Sequence, residues 1–123
     1  MSSLKEAIVK VYANYVVKKT AKWSNNPIKT QEKVMKKLIS RAKNTKFGKD
    51  HDFKNILNYS DFSKNIPVRD YEGIRPYVQQ IIDGEKNVLW PKKPIYFAKT
   101  SGTTSGEKYI PITKDSMPFH VKG

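Results

Sequence analysis

The sequence contains no cysteine and only two histidines, His51 and His120. A chain without cysteine forms neither a disulfide framework nor a thiolate metal site. The two histidines stand far apart in the sequence, which argues against a zinc site. We therefore expect no metal ligand among the side chains of this chain.

Long apolar runs are absent as well. A membrane-spanning helix needs about 20 consecutive apolar residues, and no segment of the sequence approaches that length. Lys5, Glu6 and Lys10 interrupt the apolar region that a signal peptide would need near the N-terminus. From these absences we expect a soluble, cytoplasmic protein without a membrane partner.

Acidic residues are scarce, with 11 Asp and Glu against 24 Lys and Arg and a net charge of +13. The excess lies mainly in residues 1–50, which carry 13 basic and 3 acidic residues. Such a balance is typical of chains that bind nucleic acid or anionic membranes, so a nucleic-acid-binding module is one alternative function. The lysines avoid the apolar helical stripes, however, and no nucleic-acid motif is present. We interpret them as solvated helix faces and expect no nucleic-acid partner.

Residues 1–46 form the first of three predicted segments, and their apolar spacing predicts two helices. Ser2 or Ser3 caps the first helix, and Asn26-Pro27 begins the second one. Gly48 is expected at the C-cap of the second helix. We expect the apolar stripe of the first helix to pack on the second helix, rather than to lie on a membrane surface beside Trp23.

Residues 47–94 form the second segment, with short helices and an irregular connection. Ser60 is expected to cap one helix and Asp70 the next. Pro76 interrupts the pattern of the later helix, so this helix is either kinked or has its main part beginning there. Asp83-Gly84 is expected to close it.

Two polar groups of this segment have a functional and a structural interpretation. Residues 69–72 resemble an acid–base cluster, but we favour a helix N-terminus with acidic residues in its first turn. His51, between Asp50 and Asp52, could titrate near neutral pH. We interpret it as a solvated loop histidine.

Residues 95–113 form the third segment, in which a polar loop joins two strand-like runs, residues 95–98 and 109–112. Gly102 and Gly106 let the backbone turn and approach a ligand closely. Consecutive N–H groups of such a loop can form a concave anion site. Further donors come from hydroxyl groups and from one lysine, at Ser101, Thr103, Thr104, Ser105 and Lys108.

The spacing of this loop differs from the common phosphate-binding motifs. Walker A is G-x-x-x-x-G-K-[ST], whereas only three residues separate Gly102 from Gly106, and Glu107 precedes Lys108. On spacing alone, a flexible hairpin turn is an equal alternative. A plain hairpin, however, needs only about two to five turn residues.

The loop, with its neighbours, resembles a known family. Residues 100–106 resemble the phosphate-binding motif of the adenylate-forming enzymes, which usually continue with Pro-Lys-Gly. Glu107-Lys108-Tyr109-Ile110-Pro111 stands there instead, and this variant is similar to the auxin-responsive acyl-acid amido synthetase family. Further matching segments occur in the same order, at residues 47–51, 66–72, 74–77 and 87–91.

The resemblance implies an α/β adenylation domain, of which this chain is the N-terminal portion and is itself α+β. Helices would precede the strand–loop–strand unit, and the rest of the domain and a C-terminal domain would lie in later sequence. No catalytic residue is assigned, and the isolated portion is expected to be inactive. A short scaffold protein is a further alternative.

The resemblance also implies a ligase reaction, in which ATP and a carboxylic acid form an acyl-adenylate and an amino acid then takes the acyl group. A different acyl-adenylate-forming ligase is the alternative within the superfamily. The expected partners are ATP with Mg²⁺, a small carboxylic acid and an amino acid. The residues that would bind the ATP phosphates are Thr100, Ser101, Gly102, Thr103, Thr104, Ser105, Gly106 and Lys108.

Overall fold

Helices dominate the chain, and a single antiparallel hairpin follows them among the residues that the structure describes. The structure is a computed structural model and describes residues 3–101 and 106–122. The chain divides into two units, Met1–Met35 and Lys36–Gly123. The elements are α1 (Leu4–Ser24), α2 (Pro27–Ala42), α3 (Lys46–Asp50), a 3₁₀ helix (Phe53–Asn55), α4 (Tyr59–Asn65), α5 (Tyr71–Ile82), β1 (Tyr96–Thr100), β2 (Lys108–Ile112) and α6 (Met117–Lys122).

The first helix, α1, begins at a capping box. Ser3 Oγ accepts a hydrogen bond from Glu6 N at 3.4 Å, and Ser3 N donates to Glu6 Oε2 at 3.1 Å. These bonds satisfy two N–H groups that the start of a helix leaves without a partner. The prediction of a serine cap is confirmed, at Ser3.

No residue of α1 is buried, so the prediction that its apolar stripe packs on the second helix is wrong. Apolar residues go round this helix instead of forming one face. At 100° per residue, Val17 lies on the side opposite Ile8, and both are more than half exposed, at 66% and 61%. One neighbouring helix could not cover both sides.

The second helix, α2, begins at Pro27 as predicted but ends at Ala42. Gly48 is not its C-cap, because a new helix, α3, already contains that glycine. Thr45 caps α3, and its Oγ1 accepts from Gly48 N at 3.0 Å while donating to Ala42 O at 2.7 Å. The buried Thr45 hydroxyl thus ends one helix and starts the next, and the prediction of one longer helix is wrong.

Caps fix the starts of α4 and α5. Asn58, and not the predicted Ser60, caps α4, with Asn58 Oδ1 accepting from Asp61 N at 3.0 Å. Asp70 caps α5 as predicted, with its Oδ1 accepting from Gly73 N at 3.0 Å. Pro76 lies inside α5, which runs on to Ile82.

The core lies in the unit Lys36–Gly123 and joins α2, α5 and the irregular connection. Backbone bonds run from Lys46 N to Asn87 O at 2.8 Å and from Phe47 N to Val88 O at 3.0 Å. They hold the start of α3 against the connection, and Val88 is only 1% exposed. The buried apolar side chains are Ile39, Ala42, Phe53, Ile56, Val78, Ile81, Val88 and Ile112.

The two predicted strands pair as an antiparallel hairpin. Its register sets Tyr96 opposite Ile112 and Thr100 opposite Lys108. The buried Ile112 side chain anchors β2 to the core. The expected mixture of helices followed by two paired strands is confirmed, while the phosphate loop between the strands and the place in a larger adenylation domain stay predictions.

Within residues 3–101 and 106–122, none of the helices combines the length and the apolarity that crossing a bilayer requires.

Candidate functional site

The candidate site is the polar loop that joins β1 to β2. Thr100 ends β1 and lies directly opposite Lys108, the first residue of β2. This pair closes the loop at its base, so both ends of the predicted phosphate motif are held by one hairpin. Of the predicted ligands, Gly102, Thr103, Thr104 and Ser105 lie outside the described residues.

The two described loop residues on either side of that gap, Ser101 and Gly106, are both exposed. Gly106 has a φ of 76°, and no atom of the described residues would lie within 4 Å of a Cβ at this position. The left-handed backbone explains the glycine, since L-residues with a side chain rarely adopt this conformation.

An ion pair joins β1 to the end of the loop. Lys99 Nζ lies 2.5 Å from a Glu107 carboxylate oxygen, and Tyr109 Oη donates to the other oxygen at 3.3 Å. The hydrogen bond from Lys99 holds the pKa of Glu107 below its ordinary value, and the same bond raises the pKa of Lys99. The carboxylate beside Lys108 is therefore held by Lys99.

Tyr71, the first residue of α5, ties that helix to the end of the loop. Its hydroxyl accepts from Tyr109 N at 2.8 Å and donates to Tyr109 O at 3.2 Å. The sequence places Tyr71 on the apolar side of α5 but carries no signal for this contact, because the partner is 38 residues away in the chain. Sequence reasoning missed it for that reason.

Lys108 lies over the ring of the same tyrosine, with Nζ 5.7 Å from the centroid of Tyr71. That distance is within the range of a cation–π attraction. The lysine that the sequence assigns to phosphate binding thus stands at the base of the loop, beside a fixed aromatic ring.

This arrangement offers a cation and hydroxyl groups around an exposed glycine, which is the chemistry that binds a polyanion. In the part of the chain that the structure describes, no group of three or more His, Asp or Glu side chains could hold a metal ion.

His51 is not the solvated loop residue that the sequence predicts, because it is only 8% exposed. Arg69 Nη2 lies 2.8 Å from His51 Nε2, and His51 Nδ1 lies 2.9 Å from Phe47 O. An arginine has no acceptor, so Nε2 accepts and Nδ1 carries the proton. The ring also stacks on Phe47 at 4.0 Å between centroids. His51 therefore serves the packing of α3.

Comparison with known proteins gives the family. The description "GH3 family N-terminal domain" matches residues 16–121. The chain belongs to the GH3 family. The resemblance to auxin-responsive acyl-acid amido synthetases is thereby confirmed at the level of the family.

The curated relatives of this chain carry one enzyme name. The indole-3-acetic acid-amido synthetase GH3.2 of Arabidopsis thaliana is 31% identical over 76% of this chain and 18% of its own length. GH3.4 of the same plant, with the same enzyme name, is 33% identical over 76% of this chain and 16% of its own. A probable indole-3-acetic acid-amido synthetase of Oryza sativa, GH3.2, is 28% identical over 71% and 14%. The GH3 chain described here thus spans less than a fifth of these relatives.

Proposed function

We propose that this chain belongs to an ATP-dependent acyl-acid amido synthetase, which adenylates a carboxylic acid and passes the acyl group to an amino acid. Membership of the GH3 family carries this proposal, because the curated relatives are named as amido synthetases of indole-3-acetic acid. The acid pocket would lie in the part of the relatives' length that this chain does not span. The rest of the adenylation domain and a C-terminal domain are the proposed partners of the chain.

Within that enzyme, we propose that the hairpin loop holds the ATP phosphates. The hydroxyls of Thr100 and Ser101, the backbone at Gly106 and the ammonium of Lys108 would serve as donors, together with residues 102–105. Two observations support this role: the left-handed backbone at Gly106 and the ion pair of the Glu107 carboxylate with Lys99. An acid left beside Lys108 would repel a phosphate.

The chemistry of adenylation makes such a loop useful. Negative charge accumulates on the oxygens of the departing pyrophosphate, and donors fixed in advance stabilise that charge in the transition state. Mg²⁺ would neutralise part of the same charge when it is bound with the nucleotide. This chain's share of the work is to orient the phosphates and to supply one positive charge.

Exchange of labelled pyrophosphate into ATP tests the function in the full-length gene product. With a panel of carboxylic acids, we expect exchange that depends on one class of acid. Lys108→Ala should lower kcat/KM for ATP roughly 10- to 150-fold, the range for a hydrogen bond to a charged group. Lys114→Ala, a change at an exposed lysine beyond β2, is the matched control and should leave it unchanged.

The two parts of the proposal fail separately. Absence of exchange with every acid would contradict the enzymatic function. Exchange that survives intact in Lys108→Ala would leave the function standing and remove the lysine from the site.

A further inference from the structure

We propose that Tyr71 is a positioning residue, which fixes the Lys108 ammonium and the start of β2 for binding of the ATP polyphosphate. The inference rests on the proposed function of the loop and adds a residue outside it. Tyr71 belongs to α5, and no part of the predicted phosphate motif includes it.

The hydroxyl of Tyr71 attaches the tyrosine to β2. A single hydroxyl makes two bonds to one residue, accepting from Tyr109 N at 2.8 Å and donating to Tyr109 O at 3.2 Å. Lys99 is the cross-strand partner of Tyr109. Tyr71 therefore fixes the backbone of the residue that follows Lys108, on a strand whose other edge pairs with β1.

The backbone of Tyr71 belongs to α5, which the core holds in place. Tyr71 is the first residue of α5, and Asp70 caps that helix through Gly73 N at 3.0 Å. Farther along α5, Val78 and Ile81 are buried in the core. The ring is thus carried by an element that the core holds in place, which is the condition for a preorganised site.

The ring of Tyr71 lies close to the charged ammonium of Lys108. Lys108 Nζ lies 5.7 Å from the centroid of the Tyr71 ring, and Lys99 already holds the carboxylate of Glu107. An aromatic face attracts the ammonium without neutralising it. A lysine held in this way loses less side-chain freedom when it binds a phosphate than a lysine that moves freely in water.

Tyr71→Phe tests the hydroxyl while keeping the ring, and Tyr77→Phe is the matched control. Tyr77 lies on the same helix and also donates one bond, to Asp50 Oδ2 at 2.8 Å, away from the loop. In the full-length gene product, Tyr71→Phe should speed hydrogen exchange in peptides that contain the Tyr109 amide about two- to tenfold, the effect of one net hydrogen bond. Tyr77→Phe should leave those peptides unchanged.

The kinetic readout separates positioning from general destabilisation. Tyr71→Phe should raise the KM for ATP in pyrophosphate exchange about two- to tenfold and leave the KM for the carboxylic acid unchanged. Tyr77→Phe should change neither constant. Tyr71→Leu, which also removes the ring, should raise the KM for ATP further, and this added effect should vanish in a Lys108→Ala background.

The outcomes distinguish this inference from the proposed function. A wild-type protein without pyrophosphate exchange contradicts the proposed function. An unchanged rate of hydrogen exchange at the Tyr109 amide in Tyr71→Phe instead overturns the attachment of Tyr71 to β2. If Tyr71→Phe speeds hydrogen exchange at the Tyr109 amide but leaves the KM for ATP unchanged, the positioning role of Tyr71 is overturned. If the Tyr71 variants do not fold, Lys108→Gln keeps the tyrosine, and an unchanged KM for ATP in that variant overturns the proposal as well.

Discussion

At the scale of single residues, Gly48 shows how closely the backbone of α3 approaches the end of α2. A Cβ at this position would lie 2.2 Å from Ala42 O, a backbone atom that no side-chain rotation can move. Thr45, only 2% exposed, bonds to both Ala42 O and Gly48 N and holds the two helices at this distance. Glycine is required here for close approach.

Gly48→Ala should therefore destabilise the protein. Overpacking in a tight site costs about 1–3 kcal/mol, and we expect a loss in this range in the free energy of unfolding by urea. Lys49→Ala, at the next and exposed position of α3, is the control, and surface changes of this kind stay within about 0.5 kcal/mol. Equal stability of Gly48→Ala and the wild type would show that the helices separate at no cost.

Some local caps were predictable from sequence, although Asn58 and not the predicted Ser60 caps α4. Ser3 and Asp70 cap helices through a bond to a residue three positions on, and both predictions are confirmed. Gly48 and His51 were misjudged because Ala42 O and Arg69 come near them only after α3 has formed against the rest of its unit. In the sequence, a glycine at position 48 is compatible both with a helix C-cap and with a close approach of two backbone segments.

At the scale of elements, one carboxylate joins three segments of the unit Lys36–Gly123. Asp115 Oδ2 accepts from Trp90 Nε1 at 3.1 Å and from Arg41 Nη2 and Nε at 3.1 and 3.3 Å. The last turn of α2, the irregular connection and the turn before α6 meet at this oxygen. The Trp90 hydrogen bond, and then that of Arg41, hold the pKa of Asp115 below its ordinary value of 3.8.

The lowered pKa of Asp115 gives a pH dependence with a definite sign. Because the folded chain favours the charged carboxylate, its stabilising effect is present above pH 3.8 and is lost as the pH falls through the lower pKa of the folded state. Asp115→Asn should unfold at a lower temperature than the wild type at neutral pH, and this difference should shrink in acid. Melting followed by circular dichroism from pH 7 down to acid measures it.

The matched control for Asp115 is Glu85→Gln, which neutralises an exposed carboxylate just after α5. The melting temperature of this variant should depend on pH in the same way as that of the wild type. A difference between Asp115→Asn and the wild type that stays constant at every pH would mean that the carboxylate acts through its shape alone.

The elements themselves were predictable to different degrees. The hairpin follows from two apolar runs around a polar loop, and β1 and β2 lie within one or two residues of the prediction. The contact of Tyr71 with Tyr109 could not be read from either run, because it depends on where α5 lies against β2. Periodicity specifies an element, whereas its contacts depend on packing.

At the scale of the whole molecule, the chain combines a family identity with a small share of the family's length. It spans 18% of GH3.2 and 16% of GH3.4 of Arabidopsis thaliana. The excess of positive charge, +13 in all, lies largely on exposed lysines of α1 and α2, as the sequence predicts.

The size of the chain bears directly on ATP binding by the 123 residues alone. Three or four hydrogen bonds to charged phosphates, at about 1.5–3 kcal/mol each, would contribute roughly 5–12 kcal/mol. The loss of translational and rotational freedom costs about 4–15 kcal/mol on association, so the two contributions nearly cancel.

We therefore expect weak or undetectable binding when ATP and Mg²⁺ are titrated into the 123-residue chain in a calorimeter, and clear binding by the full-length gene product. Lys108→Ala should weaken ATP binding by the full-length protein. The same change should leave the weak heat signal of the 123-residue chain unaltered. Tight, magnesium-dependent binding by the short chain would contradict the prediction. It would mean that Tyr71, Lys99 and Glu107 preorganise the loop without any help from the rest of the proposed enzyme.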